Sequence, residues 1–454
     1  MKKVTLLTAS LIALGLVSSA SASGSFGWTN IVYVTGSTAF RGNVFSAVTA
    51  PNAVFQAGTI VLSPAGATGS TSQYNVTGLP VAGSALGTNQ TMISFDFTGS
   101  EAGIYSLYNK TTGYQYAVPL TAYGPAFTAT LPGTPLPTFI DPGDTGTSTQ
   151  VPDLAFADTS FAVSLSSSFP TAPVEYGTVG AVTFTWMKGA NSTPDSSWND
   201  LTNVTTVSLP YELTKAQKAS FYTSQVADTD PVYLVGRNPG SGTRVNTLCE
   251  LNQPFTVAVK QYVVNNAASY VGGVLTFGAN VTINSTSTGN NLTLNHLVSV
   301  GNDGFDAGSG VAKTLGCNIG GTALVTLGYV GMSDAATAAG LGAKYLQLDG
   351  NLESNTSVIE GDYAFWGHEH LYGAPGQAAT SLGGEFATIL AGTQATTSPN
   401  LVFSAAFNAP GSVLQTFGGL GDNTTPTALS SGISGAAMKC DKPSGGDYAY
   451  PSQF

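Results

Sequence analysis

The stretch Arg237-Asn238-Pro239-Gly240-Ser241-Gly242-Thr243 gathers much of what is needed to hold a small oxyanion. The Arg237 guanidinium is a planar fork of N–H donors matched to two oxygens of a tetrahedral anion. Gly240 and Gly242 let the backbone approach a ligand closely, while Ser241 and Thr243 add hydroxyl donors. No Gly-Lys dipeptide occurs in the chain, which excludes a nucleotide P-loop. Three earlier turns carry related chemistry: Gly36-Ser37-Thr38-Ala39-Phe40, Gly99-Ser100-Glu101-Ala102-Gly103 and Ala157-Asp158-Thr159. At the start of a helix several backbone N–H groups lack intrahelical partners and the helix dipole is positive, so a Ser/Thr-bearing turn there suits an anion. Taken singly, each turn is explained as well by helix capping, because Ser, Thr and Asp are favoured N-caps. Their recurrence, once with an arginine, is what points to a shared site.

Positioning these turns requires strands that end at them and helices that leave them. Ile31–Val34 is an apolar run followed by Phe40, Val44, Phe45 and Val48 at helical spacing. Ile93–Phe97 precedes Ser100 and is followed by Ile104, Leu107 and Tyr108. Leu154–Ala157 runs directly into Asp158, and Val232–Val235 leads to Arg237 and then to Val245, Leu248 and Cys249, with Pro254 as the helix stop. Strands alternating with helices predict an α/β fold with largely parallel sheets, in which ligands bind beyond the carboxyl ends of the strands. Ala65–Asn89 and Pro132–Val151, rich in Gly, Pro and Thr, read as loops or added hairpins. Ala323–Val330 reads as a further strand, Glu385–Ala391 as a short helix, and the end of the chain as an irregular tail.

The 454 residues are enough for two or three domains with a real core, and the 42% hydrophobic content excludes a charge-driven disordered chain. Only 14 Lys and Arg stand against 25 Asp and Glu, a formal charge of -11, so no basic stripe exists to bind nucleic acid. Three cysteines cannot make a disulfide scaffold for this length, although Cys249 and Cys317 could pair and leave Cys440 as an odd thiol. Lys2 and Lys3, the apolar run Val4–Val17 and Ala20-Ser21-Ala22 form the pattern of a secretory signal peptide cleaved near Ala22. The expectation is an exported acidic protein, periplasmic or extracellular.

Arg-x-x-Gly-Ser-Gly-Thr at 237–243 resembles the anion-binding segment of the phosphate-binding proteins, the periplasmic receptors of phosphate ABC transporters. The earlier turns fall in that family's order. The resemblance implies that Ser37 or Thr38 donates through its hydroxyl and Phe40 or Ala39 through its backbone. It further implies that Ser100 donates, that Asp158 accepts, and that Arg237, Ser241, Gly242 and Thr243 close the site from the opposite side. Val174–Lys188 is similar to the family's first crossover strand, Leu213–Gln217 to the helix start after it, Gly328–Gly331 to a late Gly-Tyr strand, and Tyr363–Tyr372 to the return crossover. The resemblance implies a type II periplasmic-binding fold of two lobes. After the signal peptide (1–22), lobe one takes 23–173 and 369–454, and lobe two takes 174–368. The implied function is capture of inorganic phosphate in the cleft for an ABC permease and ATPase in the inner membrane, by a monomer with no cofactor, metal or chemistry at the site.

Other readings stay open. His368-Glu369-His370 would put two imidazoles on one face of a strand, a spacing usable by a metal, but no third ligand is evident nearby. Tyr363, Phe365, Trp366 and Tyr372 read as core and hinge packing rather than a sugar platform. Glu101 sets an acid directly after Ser100, and the inserted stretches are long. Both suit an alternative in which a surface or matrix protein keeps the fold without transport. A secreted phosphate-handling hydrolase is a second alternative, although no Gly-x-Ser-x-Gly elbow is present and there are only three histidines.

Overall fold

The computed structural model describes residues 30–63, 65–108, 152–190, 232–251, 257–264, 297–305, 307–316, 325–348, 350–354 and 362–390, with a few shorter pieces between them. The signal-peptide segment, Leu213–Gln217, Cys317, Cys440, the C-terminal tail and most of Pro132–Val151 lie outside the described residues.

The chain forms β1 (Asn30–Gly36), α1 (Arg41–Thr49), β2 (Val61–Ser63), β3 (Gln73–Gly78), β4 (Thr91–Asp96), α2 (Ser100–Ser106) and β5 (Leu154–Ala157). The long β6 (Val174–Lys188) follows, then β7 (Val232–Val235), α3 (Gly242–Glu250), β8 (Gln261–Val264) and β9 (Leu297–Gly301). The described part closes with α4 (Gly308–Leu315), β10 (Val325–Gly331), α5 (Met332–Gly340), β11 (Lys344–Tyr345), β12 (Trp366–Gly373) and α6 (Leu382–Leu390).

One ten-stranded sheet runs β7-β10-β6-β12-β5-β1-β4-β3-β2, with β11 pairing beside β6. β1 lies parallel to both β4 and β5, and β7 parallel to β10, whereas β6 and β12 run antiparallel to each other and to their outer neighbours. The architecture is α/β, as the alternation of strands and helices predicts, but the sheet is mixed rather than largely parallel: three of its nine strand pairings are parallel and six are antiparallel. The apolar runs form strands because both faces are covered: every residue of β4, β5 and β12 is buried. β3 lies inside the segment read as loop or added hairpin; with β2 it extends the sheet antiparallel from β4.

β6 is long enough to serve two neighbours in turn. Val174–Thr183 pairs with β12, with irregularities near Gly177 and Gly180, and Phe184–Lys188 pairs with β10. The crossing is fastened by His370 on β12, whose Nδ1 lies 2.7 Å from Oε1 of Glu175 on β6. Around it pack Tyr363, Phe365, Trp366 and Tyr372, none more than 2% exposed, so these aromatics are core and offer no sugar platform. No helix among the described residues is long and apolar enough to cross a membrane.

Candidate functional site

The turns after β1, β4, β5 and β7 meet. Gly99 N–H donates to Gly36 O at 2.8 Å, Ser37 N–H to Phe156 O at 2.8 Å, and Ala102 N–H to Gly240 O at 3.1 Å. These backbone bonds tie segments distant in sequence, and the glycines permit them. Gly36 has φ +116°, and a Cβ there would lie 2.0 Å from Phe156 O; Gly99 has φ +120°, and a Cβ there would lie 2.4 Å from Gly240 O.

Asp158 stands at the centre, 1% exposed. Its Oδ1 accepts from the Ser100 hydroxyl at 2.5 Å, and its Oδ2 accepts from the Thr243 hydroxyl at 3.4 Å. Its backbone N–H donates back to Ser100 Oγ at 3.2 Å, and its carbonyl accepts from Asn246 Nδ2 at 2.6 Å. Gly242, the first residue of α3, presses on the carboxylate so closely that a Cβ would sit 1.7 Å from Oδ1. The acid therefore rests on a helix N-terminus, where an anion is favoured. Burial pushes the Asp158 pKa above the usual aspartate value; the Ser100 hydrogen bond, the Arg237 charge and the Thr243 hydroxyl each pull it partway back.

Arg237 is 2% exposed. Its Nη2 donates to Thr38 Oγ1 at 3.2 Å and its Nε to Phe305 O at 3.1 Å, while its backbone N–H donates to the Tyr329 hydroxyl at 3.1 Å. Tyr329 in turn donates to Gln261 Oε1 at 3.1 Å. Arg237 thus joins the β7 turn to the β1 turn, and its charge acts on Asp158. Burial lowers the Arg237 pKa, and the nearby Asp334, Tyr329 and Asp158 oppose that effect.

The expected residues divide by role. Thr38, Ser100, Asp158, Arg237, Gly242 and Thr243 are linked by the contacts above. Ser37 is 1% exposed, and its hydroxyl has no hydrogen-bond partner among the described residues. The Phe40 side chain does not join the site: it is fully buried in the core, its ring 6.0 Å from that of Phe156, which leaves its backbone as the part able to face a ligand. Ser241 is the N-cap of α3, its Oγ accepting from Arg244 N–H at 3.4 Å.

Glu101 is also placed differently from what its neighbour Ser100 suggests. One residue further along α2, its carboxylate turns into the loop after β5. There it accepts from the Thr159 hydroxyl at 2.8 Å, the Ser164 hydroxyl at 2.8 Å and the Leu165 N–H at 2.7 Å. Burial nevertheless raises its pKa from 4.5 to about 7, the three hydrogen bonds offsetting part of the effect. Because the folded value exceeds the unfolded one, this group's favourable contribution is complete below pH 4.5 and is lost as pH rises through 7, a change on the order of 3 kcal/mol. Urea denaturation of the wild type and of Glu101→Gln across this interval should show the wild type losing more stability with rising pH. Parallel curves would place the titration elsewhere.

Three contributors carry little signal in the sequence. Asn246 is legible only once α3 is seen to place it one turn after Thr243. Arg244 donates to Arg237 O at 3.3 Å, to Asn302 O at 2.5 Å and to Asn302 Oδ1, so it braces the turn from behind. Tyr329 supports Arg237 through a hydroxyl that strand periodicity marks only as core. Gly242→Ala should act on the site itself, since its methyl would force Asp158 off α3. We expect about 1–3 kcal/mol of destabilisation, measured by thermal melting.

Taken together, fold and site define a mixed-sheet α/β protein with a buried hydroxyl–carboxylate–guanidinium cluster where its turns converge. No protein-family model matches the chain, and no curated protein matches it. Among solved structures it is similar to a chain described as a phosphate ABC transporter substrate-binding protein, with bound phosphate, from Clostridium perfringens. That likeness has 13% identity and a TM-score of 0.38, and covers 83% of this chain and 97% of the other. It is similar also to PstS from Borrelia burgdorferi, at 9% identity and a TM-score of 0.32, covering 83% of this chain and 96% of that one. An ABC-type phosphate transport receptor from Vibrio cholerae is matched at 11% identity and a TM-score of 0.30, over 56% of this chain and 79% of the other.

Proposed function

We propose that the chain captures inorganic phosphate, or a like tetrahedral oxyanion, where the four turns meet, and does no chemistry on it. The observation that carries this reading is the convergence on Asp158 of the Ser100 and Thr243 hydroxyls and the Arg237 charge, all buried. Uncharged donors with one guanidinium can hold a small anion in a net acidic protein, because local dipoles set the field in a dry site. Asp158 supplies the selectivity. Its carboxylate can accept the proton of hydrogen phosphate, whereas fully ionised sulfate brings no proton and meets repulsion.

On this reading the segments before β6 and after β12 form one lobe and the segments between them the other, and ligand contacts to both drive closure. Export and delivery of the anion to a membrane permease and ATPase complete the proposal, resting on the resemblance of the 237–243 segment to the phosphate receptors. The position of Glu101 favours this over the structural alternative, because its acid is engaged by Thr159, Ser164 and Leu165.

Calorimetric titration of the exported chain with phosphate, with sulfate as the control anion, tests the proposal. Submicromolar phosphate binding with sulfate at least a hundredfold weaker supports it. No heat with either anion sinks it in favour of a structural role.

A further inference from the structure

A cavity of about 340 Å³ adjoins this site, lined on one side by Thr38, Arg41 and Asn43 and on the other by Gly331, Ser333 and Asp334. Its size falls within the range of small-molecule pockets. Two helices open into it. α1 and α5, nine residues each, both begin at the cavity wall, and neither has a side-chain cap. Their first backbone N–H groups and positive dipole ends therefore face the same space.

Arg41 is the second, independent feature. It is 9% exposed and lines the cavity, and no described residue makes a hydrogen bond or contact ion pair with its guanidinium. A buried cation without such a partner is costly, and the cost is relieved when an anion occupies the space it lines. Asp334, in the first turn of α5, is the one acid on the wall; its carboxylate lies close to Gly308 at the start of α4, and the charges of Arg41, Arg237 and Lys313 all act on it. One carboxylate is thus shared among three cations, so Arg41 is only partly offset, and an anion in the cavity still gains from it and from the start of α1.

Thr38 belongs to both spaces. It lines the cavity, and its hydroxyl accepts from Arg237 in the phosphate cluster. We infer that the ligand is larger than orthophosphate: a compact molecule with a second anionic group beside its phosphate, that group seated against Arg41 between the N-termini of α1 and α5. Pyrophosphate is the simplest member of this class. The inference rests on the reading of the Asp158 cluster as a phosphate site.

Titration with orthophosphate, pyrophosphate and sulfate, on the wild type, Arg41→Gln, Arg41→Lys and Asp158→Asn, tests it, with melting curves to confirm that each variant is folded. The expected result is pyrophosphate at least tenfold tighter than orthophosphate in the wild type. Arg41→Gln should erase that preference and weaken orthophosphate far less, and Arg41→Lys should restore part of it. Orthophosphate bound as tightly as pyrophosphate, or a preference untouched by Arg41→Gln, overturns the inference and leaves the phosphate site standing. Pyrophosphate held through Arg41 but indifferent to Asp158→Asn overturns both the bridging ligand and the phosphate reading of Asp158.

Discussion

Arg237→Gln is expected to weaken phosphate binding by about 30-fold to several-thousand-fold, the range that follows when one member of a desolvated charge cluster is truncated. Glutamine is shorter, its amide ending about where Nε lies and short of Thr38, so the loss includes the tie to Thr38 as well as the guanidinium charge. Lysine should rescue little, because a point charge on a flexible stem cannot present two parallel N–H groups to two oxygens of an anion. Calorimetry with phosphate gives the affinity. A variant within threefold of wild type would remove Arg237 from the ligand and make it a brace between the β1 and β7 turns.

The same substitution should change stability, and the sign of the coupling identifies the cause. Asp158 is buried, and Arg237 opposes the rise of its pKa, so removing the guanidinium leaves the carboxylate less compensated. Breaking such a cluster from one side costs about 3–5 kcal/mol, whereas neutralising both members costs far less than the sum of the single changes. Arg237→Gln with Asp158→Asn should therefore be more stable than Arg237→Gln alone.

How much of this was legible from the residue order depended on what hides each group. The strands at Ile31, Ile93, Leu154 and Val232 were readable because buried sheet strands are continuous apolar runs, and each ends at a Ser, Thr, Asp or Arg of recognisable chemistry. β3 was not, because Gln73-Tyr74-Asn75-Val76-Thr77-Gly78 mixes polar and apolar residues within a Gly- and Thr-rich stretch. Only its pairing with β4 shows why its last five residues are buried. Glu101 follows Ser100 directly, but successive helical residues are rotated by about 100°, so while Ser100 meets Asp158, Glu101 meets Thr159, Ser164 and Leu165 further along the same loop. Arg41 lies just past the Gly36–Phe40 turn, and the cavity it lines exists only once α1 and α5 both start at its wall. Support such as Tyr329 on Arg237 is contact between strands and leaves no local pattern.

Asp158→Asn should alter selectivity more than any other change at the site. Asparagine has nearly the same shape, so Ser100 can still donate to its Oδ1 and Asn246 to its backbone carbonyl. What is lost is the charge and one acceptor, replaced by an amide donor. Hydrogen phosphate then no longer finds an oxygen to take its proton, while sulfate no longer meets a carboxylate and gains an N–H. Phosphate affinity should fall by about ten- to a hundredfold and sulfate affinity should rise, bringing the two close together, because a site built around a ligand's proton discriminates mainly through the group that would otherwise be left unpaired. Competition calorimetry, titrating phosphate into sulfate-loaded protein, reads the ratio directly. If the variant still prefers phosphate by the wild-type margin, the discriminating acceptor is some other group, and Asp158 serves only to hold Ser100, Thr243 and the start of α3 in place.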